Sequence, residues 1–258
     1  MNLVTVNTAV PGLSIPMSEI EHRLGNYYVA QYAASNGDWE IGARHIISQS
    51  GTGVAYAALL RNLHGDYAVR QLGSVSDVAD LVGRDNMSKK WDGSTIERGG
   101  VACFQWLEKM GFKGFDRPKQ PVNPTWYQAK AFTLTVGGIY LLSGDEWTHA
   151  AEDLDPIVVD GQKRAHYSIG SREQATADVD DPRYKSNRNG LFQMIGNVWE
   201  WTDEIHDGIY KVVRGGSFID NGPVSLRVGC RNYGDPGLRD FNFVGVFGVR
   251  FGRAVPRT

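Results

Sequence analysis

The run Asn189-Gly190-Leu191-Phe192-Gln193-Met194-Ile195-Gly196-Asn197-Val198-Trp199-Glu200-Trp201 sets two tryptophans two positions apart behind a glycine-asparagine pair. In an extended strand side chains alternate between faces, so Trp199 and Trp201 share one side and Val198 and Glu200 the other. Indoles of that size are expected as buried scaffold. Val213-Arg214-Gly215-Gly216-Ser217-Phe218 follows, and Phe247-Gly248-Val249-Arg250-Phe251 stands near the end. Between them the stretch from Asp220 to Val246 is irregular and punctuated by Gly, Asn and Asp, so it is expected to form a displayed face.

The remaining elements follow from spacing. Tyr27 to Tyr32 predicts a strand, and Val54 to Leu63 and Gly100 to Met110 predict helices. Arg117 to Pro124 is a proline-rich connection, either a boundary or a structured loop. It divides the chain into an N-terminal part, 1–116, which is expected either to stand apart or to join the same domain, and a core, 117–258. Thr125 is expected to cap a helix running to about Phe132, with Trp126, Ala129 and Phe132 on one buried face, and Gly137-Gly138 ends it. Ile139 to Leu142 predicts a short strand. Ser143 then caps a helix through Ala151, with Glu146 at the capping-box position. From Asp153 to Arg188 the chain is polar and without period, which predicts a long loop. Runs at Ile209 to Val213 and Val246 to Phe251 predict a small twisted sheet rather than a parallel one.

Composition excludes more than it assigns. A formal net charge of −2 across 258 residues gives no global basic field for nucleic acid. Cys103 and Cys230 are the only cysteines, too few and too far apart for a disulfide framework or a CxxC zinc site. The six histidines form no HxH or HExxH pair, and Gly215-Gly216-Ser217 matches no nucleotide-binding loop. No run approaches the roughly 18 apolar residues of a membrane span, and the first residues lack the pattern of a signal peptide. A cytoplasmic location, or release from a cytoplasm inside a larger particle, without membrane insertion is therefore expected.

Five segments occur in a telling order: Pro124 to Phe132, Leu141 to Trp147, Gly196 to Trp201, Arg214 to Phe218 and Gly248 to Phe251. In this they resemble the formylglycine-generating-enzyme (sulfatase-modifying factor) branch of the C-type-lectin-like fold, from about Pro121 to the C-terminus. Gly12 to Pro16 and Tyr28 to Tyr32 resemble its opening strands more loosely. The resemblance implies an α+β fold of short twisted antiparallel strands, a few helices and much irregular loop. Enzymes of that branch handle copper and oxygen with a nearby cysteine pair, because soft thiolates hold Cu(I). Here no cysteine lies between Ser217 and Cys230, so copper is not expected, and Cys230 is expected as a small buried hydrophobe.

The non-catalytic relatives, variable proteins of diversity-generating retroelements of the phage tropism-determinant type, are a nearer resemblance. It implies a frame of Arg227, Arg231, Pro236, Arg239, Gly245, Gly248 and Arg250. Display positions would be Asn232, Tyr233, Gly234, Asp235, Leu238, Asp240, Phe241, Asn242, Phe243, Val244, Val246 and Phe247, facing a protein or glycan ligand. It also implies a structural calcium site from Gln193, the carbonyls of Gly196 and Val198, and Glu200, with Gln193 where the family has Asn or Asp. The bland alternatives stand beside these. The arginines are expected to brace loops through carbonyls and carboxylates, and Asp145 and Glu146 serve a helix start rather than catalysis. Phe241 and Phe243 alternate as core strand residues would. An oxidase of the formylglycine-generating type and a structural phage component, with or without self-association, are the rival functions.

Overall fold

A computed structural model describes residues 2–39, 41–42, 117–124, 126–152, 158–159, 162–163, 165–167, 175–208, 210–220, 224–234, 236 and 247–255. The expected helices at 54–63 and 100–110 and the expected cap Thr125 lie outside them.

Alternating apolar residues build the first sheet. Strand β1 (Leu3–Asn7) runs antiparallel to β2 (Ser14–Ile20), with Val6 opposite Ile15 and Val4 opposite Met17. Strand β3 (Tyr27–Ala30) pairs β2 on one side and β11 (Phe251–Ala254) on the other, and β11 pairs β4 (Tyr140–Leu141). The sheet order is β1-β2-β3-β11-β4. Both faces are covered. Along β3, Tyr28 and Ala30 pack into one apolar cluster with Trp126, Phe132 and Trp201, while Tyr27 and Val29 pack into a second with Leu142, Trp147 and Ile195.

A second sheet, order β10-β7-β8-β9, carries the tryptophan strand. Strand β7 (Trp199–His206) pairs antiparallel with β8 (Tyr210–Arg214), and β8 with β9 (Arg231–Gly234). Strand β10 (Phe247–Val249) lies parallel to β7, with Phe247 opposite Trp199. The expectation of antiparallel strands alone is corrected here, because a long connection after β9 returns the chain to the far edge in the direction of β7. A short hairpin of β5 (Val158–Val159) and β6 (Gln162–Lys163) interrupts the expected loop.

Two helices bracket the second sheet. Helix α1 (Trp126–Val136) is one turn longer than the spacing predicts and ends at Gly137, which adopts a φ of 70° that a side chain would resist. Trp126, Ala129 and Phe132 form the expected buried face, and Phe132 stacks between Trp39 and Phe251 at 4.4 and 5.5 Å. Burying one such ring is worth roughly 1.5–3 kcal/mol. Helix α2 (Gly144–Ala150) starts with the predicted capping box: the Ser143 hydroxyl accepts from the Glu146 amide, and the Glu146 carboxylate accepts from the Ser143 amide.

The proline-rich connection is hydrogen-bonded to the chain after β3. The amide of Asn36 donates to the Gln120 carbonyl, that of Gly37 to Pro118, and that of Val122 to Ala34. Among the described residues no helix is long and apolar enough to cross a membrane.

Candidate functional site: the tryptophan strand and its outer face

Each residue of the Gly196–Trp201 run has a structural task. Gly196 sits at φ 75° against the His166 backbone, where a side-chain carbon would collide with the carbonyl. The Asn197 side chain pairs with the backbone of Ala177, accepting from its amide at 2.9 Å and donating to its carbonyl at 3.1 Å. Val198 packs with Ala33 and Val179. Trp199 and Trp201 share the main core, as alternation predicts, and the Trp201 indole donates to the Pro124 carbonyl.

Glu200 faces the other way and is fully buried with Arg250. Its oxygens accept from Arg250 Nε at 3.1 and 3.0 Å, from Arg250 Nη2 at 2.8 Å and from the Trp147 indole at 2.7 Å. Arg250 Nη1 donates to the Ala30 carbonyl and Nη2 also to that of Phe192. Arg250 stands between β10 and β11, where the chain leaves one sheet for the other, so its guanidinium ties β7 of the second sheet to β3 of the first.

These contacts bear on the calcium reading. Gln193 is buried and turns its amide nitrogen to the carbonyls of Asp178 and Val179, while its oxygen has no hydrogen-bond partner. The Gly196 carbonyl accepts from the Val198 amide. With both carboxylate oxygens of Glu200 taken by Arg250 and Trp147, the four residues do not fit a calcium ion.

Toward its outer end the same face of the sheet becomes polar, then aromatic. Glu204 accepts from Arg214 at 3.2 Å and from Arg231 at 2.9 Å, and lies against Gly144 at the start of α2. Here the arginines tie strands β8 and β9 to a carboxylate on β7 rather than bracing a loop. Beyond it the Tyr233 ring stacks on His206 at 4.1 Å and meets Tyr210 at 5.6 Å. Two extra residues on β7 between Trp201 and Ile205 preserve the face, because β7 advances four positions while β8 advances two. Tyr233 and Tyr210 are 51% and 39% exposed. Lys211, on the opposite face, is buried over the Trp126 ring.

Of the predicted display positions, Asn232 and Tyr233 are exposed on β9, and Gly234 is buried at its end. Phe247 is half-buried, stacked on Trp201 at 4.9 Å, and belongs to the core side. Asp235, Leu238, Asp240, Phe241, Asn242, Phe243, Val244 and Val246 lie outside the described residues. His206 and Tyr210 join Tyr233 although the sequence did not single them out. Their signal was present in hindsight, as the last residue of β7 and the first of β8 facing across a hairpin.

Behind this face, Ser217 is buried and its hydroxyl donates to Asp220 at 2.8 Å. Cys230 is half-buried, and burial first, then the Asp220 charge, push its thiol above the ordinary range against the pull of Arg214 and Arg227. The copper chemistry that the resemblance implies uses a pair of thiolates. Among the described residues Cys230 has no second thiolate, Cys103 lies outside them, and no metal-binding group of three His, Cys, Asp or Glu is present.

A mixed, sheet-rich α+β protein built around a buried Trp-Glu-Trp strand is the class that this geometry defines. The sulfatase-modifying factor enzyme 1-like domain family matches residues 22–250, and the chain belongs to it. No curated protein matches the chain. Among solved structures, PvdO from Pseudomonas aeruginosa is 20% identical with a TM-score of 0.45, over 54% of this chain and 63% of PvdO. CarF is 18% identical with a TM-score of 0.45, over 59% of this chain and 80% of CarF. The chain thus spans less than two thirds of the length of PvdO.

Proposed function

We propose that this chain is a binding member of its family, holding a protein or glycan ligand on the outer end of the β7-β8-β9 face without performing chemistry on it. The cluster of His206, Tyr210 and Tyr233 carries the reading. Tyr233 on β9 meets the rings of His206 on β7 and Tyr210 on β8, on a surface whose inner end is braced by Glu204, Arg214 and Arg231. Aromatics held in this way contribute contact area with little ordering entropy, and an exposed apolar cluster marks a recognition surface. The protonated thiol of Cys230 and the buried hydroxyl of Ser217 supply no activated nucleophile beside it. A C-type-lectin-like arrangement of the two sheets, and diversification of the segment around residues 232–247 as in retroelement variable proteins, belong to the same proposal. A near-copy of the coding sequence for that segment beside a reverse transcriptase gene would support the latter.

A glycan array and a displayed random-peptide library are suitable probes. Any ligand captured by the wild-type chain should lose about tenfold or more in affinity on combining Tyr210→Ala with Tyr233→Ala, with thermal unfolding little changed. A captured ligand indifferent to both tyrosines would contradict the proposed face.

A further inference from the structure

A carboxylate offers about four lone-pair sites. At Glu200 they meet a three-bond guanidinium fork and an indole N–H, all within 3.1 Å, in a site where both charged side chains are fully buried. The charge is balanced there, one negative against one positive. Arg250 is also held in place, because Nη1 and Nη2 donate to the carbonyls of Ala30 and Phe192. Calcium takes six to eight oxygens and would bring two positive charges beside an immobile cation in a dry interior.

The other expected ligands leave the decision to Glu200, since the Gln193 oxygen is buried without a hydrogen-bond partner. Gln193 presents its nitrogen to Asp178 and Val179, and the Gly196 carbonyl is already an acceptor for Val198. We infer that in this chain the Arg250 guanidinium takes the place of a divalent cation at Glu200, so that the carboxylate is neutralised from within the fold and does not bind calcium.

Terbium, a calcium mimic whose emission is sensitised by nearby indoles, tests this directly, since Trp147 touches Glu200. The apo protein titrated with terbium should give no saturable emission, or emission that survives Glu200→Gln and reports an ion elsewhere. Saturable emission that calcium displaces and that Glu200→Gln abolishes would overturn the inference. Should that variant fail to fold by circular dichroism, Trp147→Phe keeps the carboxylate and removes its nearest sensitiser. A fall in calcium-displaceable emission would then overturn the inference, and unchanged emission would uphold it.

Discussion

Arg250 illustrates what one residue can do at a crossing of two sheets. Its guanidinium reaches Glu200, Ala30 and Phe192 together, which a lysine, with a point charge and no fork, cannot reproduce. Replacing Arg250 by Met strands a buried carboxylate and should cost about 3–5 kcal/mol in urea unfolding. Arg250→Lys should recover only part of that loss. Asn197→Ala, which unpairs the buried amide and carbonyl of Ala177, should cost roughly 1–3 kcal/mol by the same measurement. At this scale the sequence revealed that Trp199 and Trp201 would be buried together and that an arginine would bind backbone carbonyls, as Arg250 does. It did not reveal that Glu200 answers to Trp147 and Arg250, because those partners lie 53 and 50 positions away. The calcium expectation arose from that gap: side-chain types resembled a ligand set, but the choice of partner was made by tertiary packing.

Elements were legible where their signals are local. The Ser143 and Glu146 capping box depends on residues three apart and formed as spacing predicts. Ser143→Ala should cost about 1 kcal/mol, read as a lower midpoint in thermal or urea unfolding. Glu146 also links α2 to the first sheet, accepting from the Tyr140 hydroxyl at 2.8 Å, while the Tyr27 hydroxyl donates to its carbonyl. Burial first, then Glu146, raise both phenols well above their ordinary value of 10.0. The stability linked to them is therefore whole below about pH 10 and is lost as pH rises beyond it, because the unfolded chain releases those protons first. In an alkaline titration these two phenols should ionise only as near-ultraviolet circular dichroism collapses. Ionisation of both with the fold intact would contradict this. The parallel pairing of β10 with β7 was not legible, since strand direction depends on how a long connection returns and leaves no local mark in Phe247 to Val249.

At the scale of the molecule, two sheets share the layer of Trp126, Phe132, Trp199, Trp201 and Phe251, and the outer end of one sheet is left aromatic and exposed. The five ordered motifs led to the right family because each sits in this shared frame or at its caps. The display segment led less far: Tyr233 faces out while Phe247 stacks inward on Trp201, and period-two spacing alone does not separate a core ring from a surface ring. On the proposed function, the family frame serves recognition rather than oxidation. Oxygen consumption by the fully reduced protein, loaded with copper(I) and offered a cysteine-containing peptide, separates the two. A binding protein should give uptake at the rate of protein-free buffer with the same copper and peptide. Copper-dependent uptake above that rate, abolished by Cys230→Ser in a protein that still folds, would contradict the proposed function.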